Sequence, residues 1–577
     1  MASSKFNLDD AETLNGAPPN PPIQEAPLGK SRAFYLSFAA VMVSTFLSAL
    51  DLTAIGTALP TIADALDDTK GDYIWVGSAY ALSSTALVPM SGSLADAFGR
   101  RPIMLISIAF FAVGSALAGA SQNMNMMIAA RGIHSRFISL SLLAKISSHC
   151  PGIGGGGILN LSEILVADLV PLAERGLYQG LVGFIWSFAS CIGWCFGKQG
   201  SQGVEISVLC VVFLALCYMT FTDSLVLNLP LTAIAFILVF WFLSVRHPEG
   251  SVRSKLAQVD WTGNAMVVVG SGLAIIGMTW GGIRYPWASA QVLAPLIIGF
   301  ALLVVFAVYE TKVPKRPTIP LDVIGQRTSL GALLTTASHA VVSIAVAYYM
   351  PVFFQASFGA SPLRSAVDFL PTALITAPFG FVGGASISIL QKYRAVNGIG
   401  WIFTVVGFGL FSTLKEDSSV GKWVGYQAVT AIGTGILYTA PIFPLLAPLP
   451  DNRAASGLAL FTFTRAFFQT WGITISSTIL QNMLEKKLPA AFVAQFPPGF
   501  EIAYAAIPAI KQLEEPLKKQ VQAAFADSMA VIWQVMIGIA GLGFLLTLLM
   551  AEVPMSKSVD ENYALKEKEP VPDAERL

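Results

Sequence analysis

The stretch that decides how this chain folds is a short loop between two apolar segments, Gly92-Ser93-Leu94-Ala95-Asp96-Ala97-Phe98-Gly99-Arg100-Arg101. Residues 73–93 before it and 101–120 after it are apolar over about the 20 residues that a helix needs to cross a bilayer. The two glycines permit a tight reversal between two helices. The acid and the two bases can form an ion pair at the membrane surface, although a plain turn that carries positive charges would contain the same residues.

The composition of the whole chain indicates a membrane protein and excludes an ordinary soluble domain. Of its 577 residues, 54% are hydrophobic and 12% are charged, against about 25% charged residues in soluble proteins. Lysine and arginine number 35, as do aspartate and glutamate, so the charge balance suggests no binding to nucleic acid. The five cysteines show no paired spacing, and no disulfide framework is predicted.

Apolar runs of similar length recur along the chain and predict an all-α polytopic membrane protein with about fourteen transmembrane helices. The predicted spans are 34–57, 73–93, 101–120, 123–170 (interrupted), 178–197, 227–245, 262–280, 289–310, 328–354, 366–390, 396–414, 424–447, 455–480 and 530–551. Only helices or closed barrels satisfy their backbone in lipid, and the alternating pattern of barrel strands is not seen. Lysine and arginine are concentrated in the loops after even-numbered spans, so both termini are predicted to be cytoplasmic.

These spans divide the chain into five predicted regions. A disordered cytoplasmic N-terminal tail covers 1–33, and a cytoplasmic C-terminal tail covers 552–577. An N-terminal helical bundle is predicted over 34–245 and a C-terminal helical bundle over 326–551. Residues 246–325 are predicted to form two linking transmembrane helices and their loops. The chain is thus expected to consist of two bundles joined by a helical linker.

The opening loop resembles the signature loop of the major facilitator superfamily, G-x-L-x-D-x-x-G-R-[KR]. The resemblance implies that the loop is a cytoplasmic gate formed by Gly92, Asp96, Gly99, Arg100 and Arg101. It also implies the major facilitator fold, in which two six-helix bundles of inverted repeats enclose a binding site near the middle of the membrane. Two additional helices would lie between these bundles.

A second segment narrows the resemblance to the fourteen-span drug:H+ antiporter group, whose first span carries the motif L-D-x-T-x-x-x-x-A-L-P. The matching residues are Leu50-Asp51-Leu52-Thr53-Ala54-Ile55-Gly56-Thr57-Ala58-Leu59-Pro60. Asp51 is expected near the outer end of its helix, where an ionisable side chain is costly and is taken as functional. Burial disfavours the charged form of a carboxyl group, so Asp51 could take up and release a proton. An interfacial cap in water is the alternative.

The start of the fourth span supplies a possible partner for Asp51. Ala130-Arg131-Gly132-Ile133 resembles the motif R-x-x-Q-G, whose arginine the family assigns to proton coupling. An arginine inside the bilayer needs a carboxylate or carbonyl partner, and Asp51 is the obvious candidate. Snorkelling of Arg131 to the interface is the alternative. Asp51 and Arg131 are therefore the predicted proton-coupling residues.

Two atypical segments, 134–151 and 194–226, interrupt the resemblance. The first lies inside 123–170, which as one helix would measure about 72 Å. It should therefore loop out or break the helix, and it is expected to displace Arg131 from its family position. Translation of non-coding sequence, or a drifted gene, would explain both segments.

The second atypical segment disrupts the antiporter motif G-P-x-x-G-G at the end of the fifth span. Gly193 and Gly197 remain from it, whereas Trp194 and Lys198 replace the proline and the last glycine. Proline would bend the helix and small residues would allow close helix contact, and tryptophan and lysine do neither. The apolar run 206–221 that follows is predicted to be peripheral or re-entrant.

Three residues in the second half of the chain are candidates for a substrate cavity. Phe354 and Gln355 end the ninth span and could line an aromatic cavity, with ordinary helix packing as the alternative. Arg465 is a lone charge within the thirteenth span, so a carbonyl or carboxylate partner is expected.

The resemblance implies a secondary transporter that exports a small-molecule substrate across the lipid bilayer in exchange for protons. The sequence shows no phosphate-binding loop, metal-ligand cluster or nucleophile–base arrangement, so neither an enzyme nor a cofactor or metal is expected. A monomer is expected, in the plasma membrane or alternatively the vacuolar membrane. An uptake or siderophore-type permease and a transport-inactive membrane protein are the competing interpretations.

Overall fold

The structure, a computed structural model, describes residues 30–65, 74–131, 150–196, 228–493, 506–558 and 563, without 247, 249, 283–284, 315–316, 320–321 and 508. These residues form helices and connecting turns, and no β-strand longer than an isolated bridge occurs among them. The predicted all-α fold is therefore confirmed. Three sequence predictions lie outside the described residues: the N-terminal tail up to 29, the insertion at 134–149, and 197–226 with its apolar run.

The main helices follow the predicted spans closely. They are α1 (Arg32–Ala65), α2 (Ile74–Phe98), α3 (Arg100–Gly119), α4 (Met124–Arg131), α5 (Cys150–Leu169), α6 (Arg175–Phe196), α7 (Asn228–Phe242), α8 (Trp261–Trp280), α9 (Ala290–Lys312), α10 (Arg327–Ser357), α11 (Pro362–Leu390), α12 (Tyr393–Phe411), α13 (Val420–Thr439), α14 (Ala454–Lys487) and α15 (Leu517–Leu546). The interrupted fourth span corresponds to α4 and α5. Within the described ranges, nine helices are long and apolar enough to cross a membrane by length and composition. These helices are consistent with fourteen spans.

Three helices extend seven or more residues beyond their predicted spans. Helix α1 continues through Pro60, so Asp51 lies near the middle of the helix and its predicted position near the outer end is wrong. Helix α14 continues to Lys487, and α15 begins at Leu517, ahead of the predicted 530. Backbone hydrogen bonds along a helix do not stop where apolar side chains stop, and a spanning helix tolerates proline by local adjustment.

The helices pack as two bundles with a helical pair beside them. In the N-terminal bundle, α1 contacts α6 and α7, while α5 packs against α2 and α3. In the C-terminal bundle, α10 contacts α14 and α15, and α13 packs against α11 and α12. Helices α8 and α9 pack on each other, and α8 also contacts α2 and α14. The two bundles meet where α6 contacts α11 and where α2 contacts α14.

Both described ends of the chain reach the same surface. Nζ of Lys30 pairs with Glu174 at 3.0 Å, and the carbonyl of Ser556 accepts a hydrogen bond from the backbone N–H of Ala173 at 3.0 Å. We call this surface the tail face; it contains Gly99, the turn 170–174, the turn 391–392 and the segment 551–558. An even number of membrane crossings requires both ends on one side, as found here.

Candidate functional site

Asp51 of α1 and Arg131 of α4 form a buried ion pair although they are 80 residues apart in sequence. Nη1 of Arg131 donates to both carboxylate oxygens of Asp51, each at 3.0 Å. Both side chains are 1% exposed. The partner expected for Arg131 is therefore the one present in the structure, and the buried geometry matches neither an interfacial cap nor a snorkelling arginine.

Tyr80 of α2 contacts the same arginine. Cζ of Arg131 lies 4.8 Å from the centre of the Tyr80 ring, a cation–π geometry. Gly155 of α5 is so close to Tyr80 that an added methyl group would overlap the tyrosine hydroxyl. The two pieces of the fourth span thus meet around Tyr80. Although the chain departs from the family pattern directly after Arg131, α4 packs against α2 and α3 and Arg131 pairs with Asp51. Displacement of Arg131 from its family position stays a prediction.

The pairing with Asp51 does not use every polar atom of the Arg131 guanidinium. Nε of Arg131 has no hydrogen-bond partner among the described residues. A buried ion pair is held by mutual attraction against a large cost of desolvation, and removal of one charge leaves the other uncompensated. A proton on Asp51 would therefore leave Arg131 as a buried charge without a counter-charge.

The gate loop holds a second buried arginine. Gly99 joins α2 to α3 with a φ of 96°, a conformation that glycine adopts without strain. Arg100 is 1% exposed; its Nη1 pairs with Asp96, and its Nε donates to Asp168 of α5 at 2.9 Å. The expected pair of Asp96 and Arg100 is present, and Asp168 is a further partner. Together these charges tie α2, α3 and α5 at the tail face.

Two other residues of the loop 92–101, Arg101 and Gly92, contact helices α7 and α14. Nη2 of Arg101 donates to the carbonyl of Phe240 on α7. A Cβ atom on Gly92 would lie 3.1 Å from Cβ of Ala459, so the glycine lets α2 approach α14 of the other bundle.

Gly193 lies in the last turn of α6. Gly197 lies outside the described residues, so the remnant of the antiporter motif stays a prediction.

Replacing Arg100 by alanine should lower the free energy of unfolding by about 3–5 kcal/mol, because the buried Asp168 carboxylate loses its partner. Denaturant unfolding of the purified protein in detergent measures this. Arg101→Ala is the matched control and should cost less than about 1 kcal/mol, since its contacts are exposed. The variant Arg100→Ala with Asp168→Asn should recover part of the loss. Equal costs for Arg100→Ala and Arg101→Ala would contradict the role assigned to the buried pair.

Arg465 of α14 lies near the contact between the bundles. Its Nη2 donates to the carbonyl of Tyr438 at 2.6 Å, so the expected carbonyl partner is present. The guanidinium lies 4.3 Å from the ring centre of Tyr438 and 4.4 Å from that of Phe461. Glu163 of α5 accepts a hydrogen bond from Gln179 of α6 and interacts electrostatically with Arg465. Helices α5 and α14, which carry Glu163 and Arg465, contact each other across the junction of the two bundles.

Phe354 and Gln355 make the contacts of packed helices. Phe354 is fully buried, and its ring centre lies 5.0 Å from that of Trp423. Gln355 donates to Oγ of Ser365 at 3.1 Å. Trp423 and Phe358 line a cavity of about 440 Å³, and Phe354 lies behind them. A direct role of Phe354 and Gln355 in a substrate cavity stays a prediction.

The bundles touch at the tail face through small residues. Gly176 of α6 lies against Gly384 of α11, and a methyl group on either would overlap the backbone of the other. The N–H of Gly176 donates to Oγ of Ser388 at 3.1 Å. One helical turn further along α6, an added Cβ on Gly180 would lie 2.5 Å from Cα of Phe381. The structure is therefore closed at the tail face.

Several of these residues were not identified from the sequence. Asp168 and Glu163 are carboxylates within an apolar helix, and an ionisable side chain at membrane depth is a signal that could have found them. Tyr80 has no comparable signal, because tyrosines are common in spans and at their ends. Its contact with Arg131 depends on how α2 and α4 pack.

The comparisons with known proteins agree over most of the chain. Residues 41–473 match the Major Facilitator Superfamily. The chain is 33% identical over 549 residues to efflux pump FUS6 of Gibberella moniliformis (strain M3125 / FGSC 7600), covering 94% of this chain and 92% of that protein. It is 34% identical over 551 residues to the MFS-type transporter gkaD of Penicillium citrinum, covering 94% and 89%. It is 33% identical over 559 residues to the MFS-type efflux pump LUC4 of Fusarium sp, covering 95% and 93%.

A solved structure shares the fold. The human organic anion transporter MFSD10 superposes with a TM-score of 0.54 at 14% identity, over 90% of this chain and 100% of that one. At this identity the likeness concerns the fold alone. Together with the family match and the relatives, it accounts for the two packed bundles of helices in this chain. The chain belongs to the Major Facilitator Superfamily and is a multi-pass membrane transporter.

Proposed function

We propose that this transporter exports small amphipathic organic compounds, such as a toxin, a drug or a secondary metabolite, in exchange for protons. The observation that carries the proposal is the buried pair of Asp51 and Arg131. A proton is the smallest ligand that can neutralise the Asp51 carboxylate, and it needs no wide path to reach a buried side chain. The relatives named efflux pumps support export over uptake.

In the proposed cycle, the two bundles alternate between a state closed at the tail face and a state open there. A proton from outside neutralises Asp51, releases Arg131 and favours reorientation, and it leaves on the inner side. Opening of the tail face separates Gly176 of α6 from Gly384 of α11. An inward proton gradient supplies about 2.3 kcal/mol per charge for each 100 mV, in addition to the pH difference.

The proposal includes a cytoplasmic tail face, a plasma-membrane location and a monomer as the working unit. The intact pair of Asp51 and Arg131 supports transport activity over the transport-inactive alternative, since both charges would be costly to keep buried without use. No contact among the described residues favours the uptake permease.

Reconstitution tests the proposal directly. Purified protein in vesicles with an acidic interior should accumulate at least one dye from a panel of permanently charged, amphipathic fluorescent dyes as protons leave. A protonophore should abolish the accumulation, and protein-free vesicles are the control. Accumulation only in vesicles with an alkaline interior would instead indicate proton-coupled uptake. If no dye moves under any imposed gradient, the proposed function is wrong.

A further inference from the structure

The end of the chain is anchored to the C-terminal bundle at the tail face. The N–H of Ala551 donates to Oγ1 of Thr328 at 3.1 Å. The carboxylate of Glu552 accepts hydrogen bonds from the N–H groups of Tyr393 at 3.3 Å and Arg394 at 3.0 Å. These are the first N–H groups of α12, which lack partners within the helix, and a carboxylate is favourable there. The segment therefore leaves α15 in a fixed direction.

The following residues lie across the junction between the bundles. Met555 is 7% exposed and belongs to an apolar cluster that contains residues of both bundles. The carbonyl of Ser556 accepts from the N–H of Ala173 in the N-terminal bundle at 3.0 Å. The hydroxyls of Ser556 and Ser558 donate to Oδ2 of Asp451, at 3.2 and 2.5 Å, on the side of the C-terminal bundle. One short segment thus contacts both bundles.

Tyr563 reaches the gate loop itself. Cζ of Arg100 lies 3.7 Å from the centre of the Tyr563 ring, and the tyrosine hydroxyl donates to the carbonyl of Asp96 at 2.9 Å. The ring covers the guanidinium on a side that Asp96 and Asp168 leave open. Tyr563 therefore contacts Arg100 and Asp96 of the predicted gate, although it is 463 positions from Arg100 in sequence.

We infer that 551–558 and Tyr563 form a strap that stabilises the state closed at the tail face, with Tyr563 as a positioning residue for Arg100. The inference rests on the proposed function only in treating that state as one step of a transport cycle. The N–H of Ala173 and the carboxylate of Asp451 belong to different bundles, so both contacts of Ser556 require the bundles to be close. Opening of the tail face must break contacts on one side of the strap.

A distance measurement tests the strap without requiring transport. Spin labels at Pro102 of the N-terminal bundle and Lys392 of the C-terminal bundle, both exposed on the tail face, report its opening by double electron–electron resonance. The five native cysteines are replaced first. Tyr563→Ala should lower the ratio of closed to open molecules about five- to tenfold, because it removes a cation–π contact and a hydrogen bond. Tyr563→Phe keeps the ring and should lower the ratio by less.

A second variant addresses the middle of the strap. Ser558→Glu places a carboxylate beside Asp451 and should open the tail face more than Ser558→Ala, which only removes the hydrogen bond. Where the vesicle assay shows transport, Tyr563→Ala should also lower the apparent KM for the dye, because more molecules are open to the cytoplasmic side. A purely structural role of Tyr563 would lower the amount of active protein and leave KM unchanged.

The outcomes separate the strap from the proposed function. Unchanged distances in both Tyr563→Ala and Ser558→Glu would overturn the strap, even if the protein transports dye. Shifted distances in a protein that moves no dye would support the strap and overturn the proposed function. A Tyr563→Phe variant as open as Tyr563→Ala would contradict the role of the ring on Arg100.

Discussion

Replacing Asp51 by asparagine is expected to abolish proton-driven accumulation of dye, down to the level of protein-free vesicles. Asparagine keeps the shape of the side chain and can accept a hydrogen bond from Arg131. It carries no charge and cannot take up a transported proton. The carboxylate is 1% exposed and has both oxygens on Nη1 of Arg131, so few other groups can replace it.

The same substitution leaves Arg131 as a buried charge without a counter-charge, which destabilises a protein by about 3–5 kcal/mol. The double variant Asp51→Asn with Arg131→Gln removes both charges and should recover much of this stability. It should nevertheless stay inactive, because it still lacks a group that binds the proton. Loss of transport with recovered stability would separate proton coupling from folding.

Asp51→Glu is the conservative control. It keeps a carboxyl that can titrate and should retain part of the proton-driven transport, while its extra methylene disturbs the short contact with Arg131. Exchange of dye for dye without a gradient should survive in Asp51→Asn, since that reaction needs no net proton movement. If Asp51→Asn showed unchanged proton-driven export at every pH tested, Asp51 would have no role in proton coupling.

The sequence indicated Asp51 as the candidate partner of Arg131, because charges in lipid need partners and few were available, and it left an interfacial cap and a snorkelling arginine as alternatives. The same logic predicted a carbonyl or carboxylate for Arg465, which the carbonyl of Tyr438 supplies. Apolar lengths predicted an all-α membrane protein, and the resemblance of the loop 92–101 to the family signature implied the major facilitator fold. Helix ends were less predictable, because α1 passes through Pro60 where apolarity alone suggests a stop.

The contacts between distant segments could not be predicted. Asp168 is 68 residues from Arg100, and only the packing of α3 against α5 shows that they meet. Tyr563 lies in a polar tail whose composition suggests no fixed contact. The insertion after Arg131 was expected to displace the arginine from its family position, and the structure places Arg131 beside Asp51, with α4 packed on α2 and α3. Local sequence identified which groups are costly to bury, and packing determined which of them meet.

The contact of Gly176 with Gly384 leads to the second large expected effect. A methyl group on Gly176 would overlap the carbonyl oxygen of Gly384, which is backbone and cannot turn away as a side chain can. Gly176→Ala should therefore destabilise the state closed at the tail face by about 1–3 kcal/mol, the usual range for overpacking. That corresponds to a shift of about 5- to 150-fold toward the open state.

Transport by Gly176→Ala should fall by a similar factor, because each cycle must pass through the closed state. The open state separates α6 from α11, so the added methyl group costs little there and the protein should remain folded. The labels at Pro102 and Lys392 should accordingly show a longer distance in Gly176→Ala and in Gly384→Ala. Gly409→Ala is the matched control, since an added Cβ at Gly409 on α12 would meet nothing within 4 Å among the described residues.

The two readouts together decide what the glycine contact does. A longer distance with slower transport would show that backbone contact of α6 and α11 closes the tail face in the working protein. Normal distance and normal transport in both glycine variants would mean that the bundles close without this contact. An equal loss in Gly409→Ala would point to a general effect of alanine on helix packing, since this control lies in a helix of the same bundle as Gly384 but away from the junction.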